Sequence, residues 1–167
     1  MIVPTEYALR PILFEDREAI MDIFNHYAET SFAAYPETKL PYQAFDLFLK
    51  MSEGYPRASV LHHQHTVVGF GMLRPHNMLP TFSQTAEVTY FIDPAHTGRG
   101  IGKLLLSYLE EGAREKGIQT ILANISSRNE PSIQFHEKNG FVQVGRLAKV
   151  GKKLGLEFDT IWMQKAL

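Results

Sequence analysis

The sequence predicts a mixed α+β fold, in which a mostly antiparallel central sheet of about seven strands carries helices on both faces. Strand-like and helix-like segments follow one another in the order β-α-α-β-β-β-α-β-α-β-β, without the regular βαβ alternation of a doubly wound fold. Two apolar segments meet at His63-Gln64-His65, which is typical of a hairpin. Farther on, a strand, a glycine-rich loop and a long helix follow in direct succession.

The first half of the chain is predicted to form four strands and two helices. Apolar residues of segment 15–27 recur at three- and four-residue steps, which is the spacing of one helical face. Residues 30–41 contain Pro36 and Pro41 and predict a loop with Phe32 and Tyr35 as aromatic anchors. The predicted elements are strands at 7–12, 57–62, 66–73 and 86–92, and helices at 15–27 and 42–52.

The second half predicts a long helix, a short helix and three strands. Gly117 is a natural C-cap for the long helix, and Asn129 is a natural N-cap for the short one, which tolerates Pro131 in its first turn and ends at Gly140. The predicted elements are helices at 103–116 and 129–140, and strands at 119–126, 141–144 and 157–164.

Composition excludes several classes of protein. A length of 167 residues favours one domain. The formal net charge of −1, from 17 basic and 18 acidic residues, argues against nucleic acid as a partner. The absence of cysteine excludes disulfides and a cysteine nucleophile. No signal-peptide pattern and no bilayer-length apolar run is present, so we expect a cytoplasmic protein without a membrane partner.

The glycine-rich loop predicts a phosphate-bearing cofactor. Gly98, Gly100 and Gly102 allow a tight turn that brings backbone N–H groups close to a ligand. The helix that follows adds unpaired N–H donors and the positive end of its dipole. This combination is typical of a phosphate-binding loop, although a simple strand-to-helix turn would use the same glycines.

Two common nucleotide motifs fit this loop poorly. A Walker A loop needs Ser or Thr after Gly-Lys, and Leu104 follows Lys103 here. The dinucleotide fingerprint needs G-x-G-x-x-G and an acidic residue near the end of the next strand. Here the spacing is G-x-G-x-G, and the next strand ends at Ser126 without an acid.

The loop resembles the coenzyme A pyrophosphate loop of the GCN5-related N-acetyltransferases, Gln/Arg-x-x-Gly-x-Gly/Ala, with Thr97 at its first position. The order of elements resembles the same family over almost the whole chain, and local motifs resemble its phosphinothricin acetyltransferase-like branch. These motifs are Leu9-Arg10-Pro11, Asn25-His26-Tyr27, Gly54-Tyr55-Pro56, Asn129-Glu130-Pro131-Ser132, His136-Glu137-Lys138-Asn139-Gly140-Phe141, and Gly151, Lys153, Gly155, Asp159 and Gln164. Leu156-Glu157 replaces the Arg-Trp of the branch.

The resemblance implies a GNAT fold and an N-acetyltransferase that uses acetyl-CoA as its co-substrate, without a metal. The expected acceptor is the primary amine of a small molecule, an amino acid or an analogue such as phosphinothricin or methionine sulfoximine. A protein or peptide acetyltransferase and a non-catalytic coenzyme A-binding module are the alternatives. A homodimer is expected, because dimers are common in the branch.

The resemblance also implies the cofactor site. The backbone of one strand is expected to bind pantetheine, while the glycine loop and two basic side chains at the helix start bind the phosphates. In the short helix, Asn129 could contact the cofactor or only cap the helix, and Lys138 could reach a phosphate or be a surface lysine. The predicted residues are Tyr90, Phe91, Ile92, Gly98, Arg99, Gly100, Ile101, Gly102, Lys103, Asn129 and Lys138.

The catalytic candidates are Glu87 and His136. Strand alternation places Glu87, Thr89 and Phe91 on one face, and a carboxylate there can take the proton of an ammonium group. Glu87 could instead hold the ammonium by charge, or be a solvated strand residue. The resemblance implies that His136 protonates the leaving thiolate, and the alternative is a packing histidine.

The acceptor site is predicted from one aromatic and several polar residues. Arg74 could pair with a substrate carboxylate, as arginine favours bidentate contacts, and Asn77 aligns with the arginine that serves this role in the branch. The predicted substrate-binding residues are Phe32, Arg74, Asn77, Glu87 and Thr89.

Three histidines at the predicted hairpin suggest a metal site at first sight. His62, His63 and His65 sit at the tip of the predicted hairpin with no acidic partner. We therefore predict no metal site.

Overall fold

A seven-stranded sheet of order β1-β2-β3-β4-β5-β7-β6 forms the centre of the molecule in the computed structural model, which describes residues 6–63 and 65–167. The strands are β1 Tyr7–Pro11, β2 Arg57–His62, β3 Thr66–Pro75, β4 Thr85–Ile92, β5 Thr120–Ser126, β6 Val142–Lys153 and β7 Leu156–Ala166. The helices are α1 Arg17–Thr30, α2 Ala44–Met51, α3 Ile101–Glu115 and α4 Glu130–Lys138. The predicted mixed fold with a mostly antiparallel sheet is confirmed.

The helices cover opposite faces of the sheet because each presents one apolar stripe to it. In α3, Ile101, Leu105 and Leu109 recur every four residues and are buried among the strands. On the other face, Ile20 and Phe24 of α1 pack with Phe45 of α2 against β3. Two apolar layers, one on each side of the sheet, therefore hold the fold together.

The sheet opens into a gap between its two central strands. β4 pairs antiparallel with β3 from Ala86 to Ile92, whereas its parallel pairing with β5 runs from Thr85 to Glu87. β5 in turn stays paired with β7 as far as Ser126. The carboxyl-terminal halves of β4 and β5 therefore diverge, and backbone groups of β4 face the gap.

The last two strands are longer than predicted. The strand predicted at 141–144 continues to Lys153 as β6, and the one predicted at 157–164 extends to Ala166 as β7. β6 is an edge strand whose register against β7 shifts near Gly145 and again near Gly151. These irregularities and the interspersed lysines break the alternation of apolar residues. The sequence pattern therefore does not predict the second half of β6.

A buried carboxylate joins the start of α1 to the sheet. Asp16 accepts two hydrogen bonds from Arg10 at 2.7 Å, one from the backbone N–H of Leu13 at 2.9 Å and one from the Ser59 hydroxyl at 2.7 Å. Burial alone would raise the pKa of the Asp16 carboxyl, but these hydrogen bonds outweigh it and lower the pKa below its usual value.

Predicted and observed elements agree elsewhere to within a few residues. The hairpin predicted at residues 63–65 joins β2 to β3, and Gln64 itself lies outside the described residues. Within residues 6–63 and 65–167, none of the helices has the length and apolar character needed to cross a bilayer.

Candidate active site

A cavity of about 1570 Å³ occupies the gap between β4 and β5. Its walls come from both strands, from the amino-terminal ends of α3 and α4, and from the segment 30–36 that follows α1. Ordinary small-molecule sites measure roughly 300–1,000 Å³. The cavity is therefore larger than an ordinary small-molecule site.

The glycine loop forms one end of this cavity. Gly98 and Gly100 have φ values of 75° and 81°, which favour glycine, and a Cβ on either would meet nothing within 4 Å. The Leu104 N–H donates to the Gly100 carbonyl at 3.1 Å, at the start of the hydrogen-bond ladder of α3. The N–H groups of residues 101–103 come before it and have no acceptor within the helix. The loop and helix start can thus donate hydrogen bonds to an anion.

The middle of the cavity exposes the backbone of β4. Residues 88–92 line it on the side where pairing with β5 has ended. The Tyr27 hydroxyl donates to the Ile92 carbonyl. An extended ligand could pair with this strand in the manner of an added β-strand.

Charged groups meet at the other end of the cavity. Glu87 is 7% exposed and forms an ion pair with Arg74, which lies opposite it in the β3–β4 register. His76 Nδ1 donates to the second carboxylate oxygen of Glu87 at 2.9 Å. The ring of Trp162 stands edge-on to His76, with 6.2 Å between ring centroids. This end therefore holds a buried carboxylate between two basic groups.

An aromatic wall closes the cavity beside these charges. Tyr35 stacks on Phe158 with 5.5 Å between ring centroids, and its hydroxyl donates to Asn124. Phe32 packs edge-on against Phe158 at 5.9 Å. Burial raises the pKa of Tyr35 to about 12, so its hydroxyl stays protonated as a donor.

A buried lysine holds this wall from behind. Lys153, at the end of β6, is 1% exposed and donates to the carbonyl of Ala34. The backbone N–H of Leu154 donates to Glu37 at 2.7 Å. Burial lowers the pKa of the Lys153 ammonium. The β6–β7 hairpin thus fixes the segment that carries Phe32 and Tyr35.

A tyrosine and a histidine form a hydrogen-bonded pair where β4 meets α4. His136 Nδ1 lies 2.6 Å from the carbonyl of Ser132, so Nδ1 carries a proton and Nε2 accepts from the Tyr90 hydroxyl. Burial lowers the pKa of His136 and raises that of Tyr90 well above its usual value. At neutral pH both groups are therefore uncharged.

Most residues predicted for the site lie around this one cavity. Those that line it are Phe32, Arg74, Glu87, Thr89, Tyr90, Phe91, Ile92, Gly98, Gly100, Ile101, Gly102, Lys103, Asn129, His136 and Lys138. Asn129 is also the N-cap of α4, because its side chain accepts from Ser132 N–H. Lys103 and Lys138 are exposed at the rim.

Two predicted residues lie elsewhere. Arg99 points away from the lining and donates to the Tyr7 hydroxyl at 3.4 Å. Asn77 follows the end of β3 and accepts from the backbone N–H of Leu79 at 2.9 Å, outside the cavity lining. The β3–β4 connection turns away after His76, which takes the Asn77 side chain out of reach.

Sequence reasoning did not find several neighbours of the site. His76 stands two residues after Arg74, and a period-two pattern at the end of β3 could have revealed it. Asn124 and Trp162 lie opposite each other on β5 and β7, and that pairing has no local sequence signal.

The interpretation that the hairpin histidines lack an acidic partner is wrong. Glu6 Oε2 lies 3.7 Å from His62 Nε2, and one ligand atom from each of Glu6, His62 and His63 falls within 4.8 Å of the others. Pairing of β1 with β2 produces this proximity between residues far apart in the sequence.

The chain is similar to known proteins in both sequence and fold. The family model described as the Acetyltransferase (GNAT) family matches residues 18–141. A phosphinothricin N-acetyltransferase of Streptomyces coelicolor is 29% identical over 166 residues, which cover 97% of each chain. An L-methionine sulfoximine/L-methionine sulfone acetyltransferase of Salmonella typhimurium is 31% identical over 159 residues, covering 91% of this chain and 90% of the relative.

Among solved structures, the chain is similar to a GNAT superfamily phosphinothricin acetyltransferase from Sinorhizobium meliloti in complex with acetyl-CoA. The TM-score is 0.91 at 27% identity, over 98% of this chain and 89% of the other.

Proposed function

The chain belongs to the Acetyltransferase (GNAT) family, and we propose that it acetylates the primary α-amine of a small amino acid or amino-acid analogue. It is an N-acetyltransferase, and acetyl-CoA is its co-substrate. Phosphinothricin and methionine sulfoximine, which appear in the names of its relatives, both carry an amine beside a carboxylate. They represent the acceptor class that we propose.

The ion pair between Arg74 and Glu87 carries this proposal. It places one positive and one negative group at the closed end of the cavity, beside the aromatic wall. A zwitterionic amino acid offers the complementary charges. Binding would exchange partners, with the substrate carboxylate on Arg74 and its ammonium on Glu87, so neither the partly exposed guanidinium nor the buried carboxylate loses its counterion.

Glu87 then acts as the general base. Attack on a thioester requires a neutral amine, and the Glu87 carboxylate accepts the proton of the bound ammonium. His76, which donates to the other oxygen of the carboxylate at 2.9 Å, holds Glu87 in place. Acetyl-CoA supplies the acetyl group as a thioester. Because the chain has no cysteine, we propose direct transfer to the amine.

We assign the two ends of the co-substrate to two parts of the cavity. The N–H groups at Gly98, Gly100 and the start of α3 bind the pyrophosphate, and the exposed ammonium of Lys103 adds positive charge. The backbone edge of β4 at residues 90–92, which is not paired with β5, binds the pantetheine arm. Lys138 and Asn129 stand at the rim, where phosphate groups would pass.

Tyr90 and His136 supply the proton for the leaving thiolate. Because His136 Nε2 accepts from the Tyr90 hydroxyl, the histidine acts through the tyrosine, which is the group that can donate toward the cavity. In the resting enzyme His136 Nε2 orients the Tyr90 hydroxyl. To protonate the thiolate, the hydroxyl turns from Nε2 to the sulfur and gives it the proton, and the phenolate then takes a proton from solvent. This differs from the expectation that His136 donates directly.

A homodimer is part of the proposal. Edge strand β6 exposes four apolar side chains that a second copy could cover, and these are Val142, Val144, Leu147 and Val150. Light scattering during size-exclusion chromatography measures the mass. Val144→Lys, which places a charge on this strand, should shift a dimer to monomer.

A thiol-release assay tests the proposed acceptor class. The panel contains phosphinothricin, methionine sulfoximine, common amino acids, their carboxamides, a polyamine and a short peptide. We expect release with the α-amino acids and a large loss with the matched carboxamides. The Arg74→Met variant should lose the preference for the acid over the carboxamide. Faster acetylation of the polyamine or the peptide would contradict the proposal.

A further inference from the structure

We propose that Glu6, His62 and His63 form a binding site for one divalent transition-metal ion of the zinc, cobalt or nickel class, next to the cofactor loop. The three side chains meet where β1 pairs with the end of β2. None of them belongs to the acceptor cavity.

The fold builds this cluster in two steps. Antiparallel pairing sets Tyr7 opposite His62, which brings the preceding Glu6 to the hairpin. The backbone N–H of His63 donates to the Glu6 carbonyl at 2.8 Å and fixes that position. His63 has a φ of 48°, in the left-handed region. This turn brings its ring beside that of His62, with 4.0 Å between centroids, instead of sending it to the opposite face.

The distances suit a small ion. His62 Nε2 and Glu6 Oε2 lie 3.7 Å apart, and two ligands of a tetrahedral zinc ion lie roughly 3.4 Å apart, given bonds of about 2.1 Å. All three ligand atoms lie within 4.8 Å of one another, and binding an ion would require rotations of the half-exposed Glu6 and His62 side chains and of the exposed His63. Three protein ligands leave one position for water, as in other three-ligand sites.

The ligand chemistry selects the class of metal. Imidazole nitrogens suit zinc, copper, nickel and cobalt, whereas magnesium and calcium prefer oxygen ligands in larger number. Two imidazoles and one carboxylate therefore favour a transition metal. The carboxylate of Glu6 also supplies a negative charge to the cation.

The cluster is in contact with the loop that we assign to the pyrophosphate. The ring of His62 lies 4.8 Å from that of His96, between centroids, and 5.2 Å from that of Tyr7. The Tyr7 hydroxyl is bonded to His96 Nδ1 at 2.9 Å and accepts from Arg99 at 3.4 Å. An ion that fixes His62 would restrict the residues that support the loop. This second step rests on the proposed cofactor site.

Metal binding is measured on the whole protein after treatment with a chelator. Titration calorimetry with Zn²⁺, and the visible spectrum with Co²⁺, should show one equivalent bound, whereas Mg²⁺ should give no signal. In His63→Ala and in Glu6→Gln, which remove exposed or half-exposed ligands, we expect affinity for Zn²⁺ to fall by about tenfold or more. The matched control is His65→Ala, at the same hairpin, which should bind as the parent does.

Two results would overturn the site: no binding of Zn²⁺ by the parent protein, or equal affinity in the parent, His63→Ala and Glu6→Gln. Coupling to the loop is tested separately by the KM for acetyl-CoA with and without Zn²⁺. A change in KM in the parent and in His65→Ala, but not in His63→Ala, supports the coupling. Binding without any change in KM overturns the coupling alone, and neither result bears on the acceptor class.

Discussion

Arg74 and Glu87 lie directly opposite each other on β3 and β4, and their side chains form an ion pair at the closed end of the cavity. The carboxylate is nearly inaccessible, while the guanidinium is 37% exposed. An acceptor that offers a carboxylate can therefore approach Arg74 first and replace Glu87 as its partner. On this relationship rests our proposal that the ion pair selects zwitterionic acceptors.

Replacing the carboxylate should abolish most of the catalysis and leave the co-substrate in place. For Glu87→Gln we expect kcat/KM for the amine to fall by about 10²–10⁴-fold, which is the usual contribution of a general base. Steady-state kinetics measures this loss, and the thermal shift produced by coenzyme A reports on binding. Glu111→Gln, on the exposed side of α3, is the matched control. A rate equal to that of the parent would contradict a role for Glu87 as base.

Loss of the Tyr90 hydroxyl should slow the chemical step. We expect Tyr90→Phe to reduce kcat by about 10²-fold, because the thiolate loses its proton donor, without a large change in the KM for acetyl-CoA. Tyr108→Phe, on α3, serves as the control. An unchanged kcat in Tyr90→Phe would argue that the thiolate leaves without help from this pair.

The pH dependence of the same step follows from burial. Burial lowers the pKa of His136, so its imidazole is neutral at and above the ordinary histidine pKa. Burial also raises the pKa of Tyr90, so the hydroxyl keeps its proton as the pH rises. We therefore expect no fall in kcat that depends on His136 as the pH rises through the ordinary histidine range near about 6.5. A fall there that disappears in His136→Gln would contradict this assignment.

Gly151 makes room for the aromatic wall. A Cβ at this position would lie 2.1 Å from the ring of Phe158, on which Tyr35 stacks. We expect Gly151→Ala to lower the free energy of unfolding by about 1–3 kcal/mol, as overpacking does, and to raise the KM for the amine. Urea denaturation and kinetics measure the two effects. Gly145→Ala, in the same strand, would place its Cβ at 3.9 Å from Trp162 and should be tolerated.

Asp16 should make stability depend on pH in acid. Its pKa is lower in the folded state than in the unfolded chain, so its contribution is complete above the unfolded value of about 3.9 and disappears as the pH falls through the folded value. At neutral pH we expect Asp16→Asn to cost about 2–3 kcal/mol, because a neutral amide leaves buried donors unpaired.

Urea denaturation over a pH series measures this difference. The difference in free energy of unfolding between the parent and Asp16→Asn should become smaller in acid. The variant Asp46→Asn, at an exposed position, should have the stability of the parent at every pH. A gap of constant size would show that the carboxylate charge is not what stabilises this turn.

Local features were predicted well because they depend on short segments. The tight turn predicted at the glycines is present at Gly98 and Gly100, whereas Gly102 already lies in α3, and Glu87 lies on the face that strand alternation indicates. The extent of β6 was not predictable in this way. Its alternation of apolar and polar residues is interrupted near Gly145 and Gly151, and the strand continues there because it pairs with β7.

The sequence by itself determined the order of elements and the glycine loop, since periodicity and backbone freedom are contained in neighbouring residues, and its motifs carried the resemblance to the family. Tertiary structure alone decided the partners of the side chains. Strand register set Arg74 against Glu87, the meeting of β4 with α4 joined Tyr90 to His136, and pairing of β1 with β2 brought Glu6 to His62. Such contacts depend on the positions of whole elements, which no short stretch of sequence specifies.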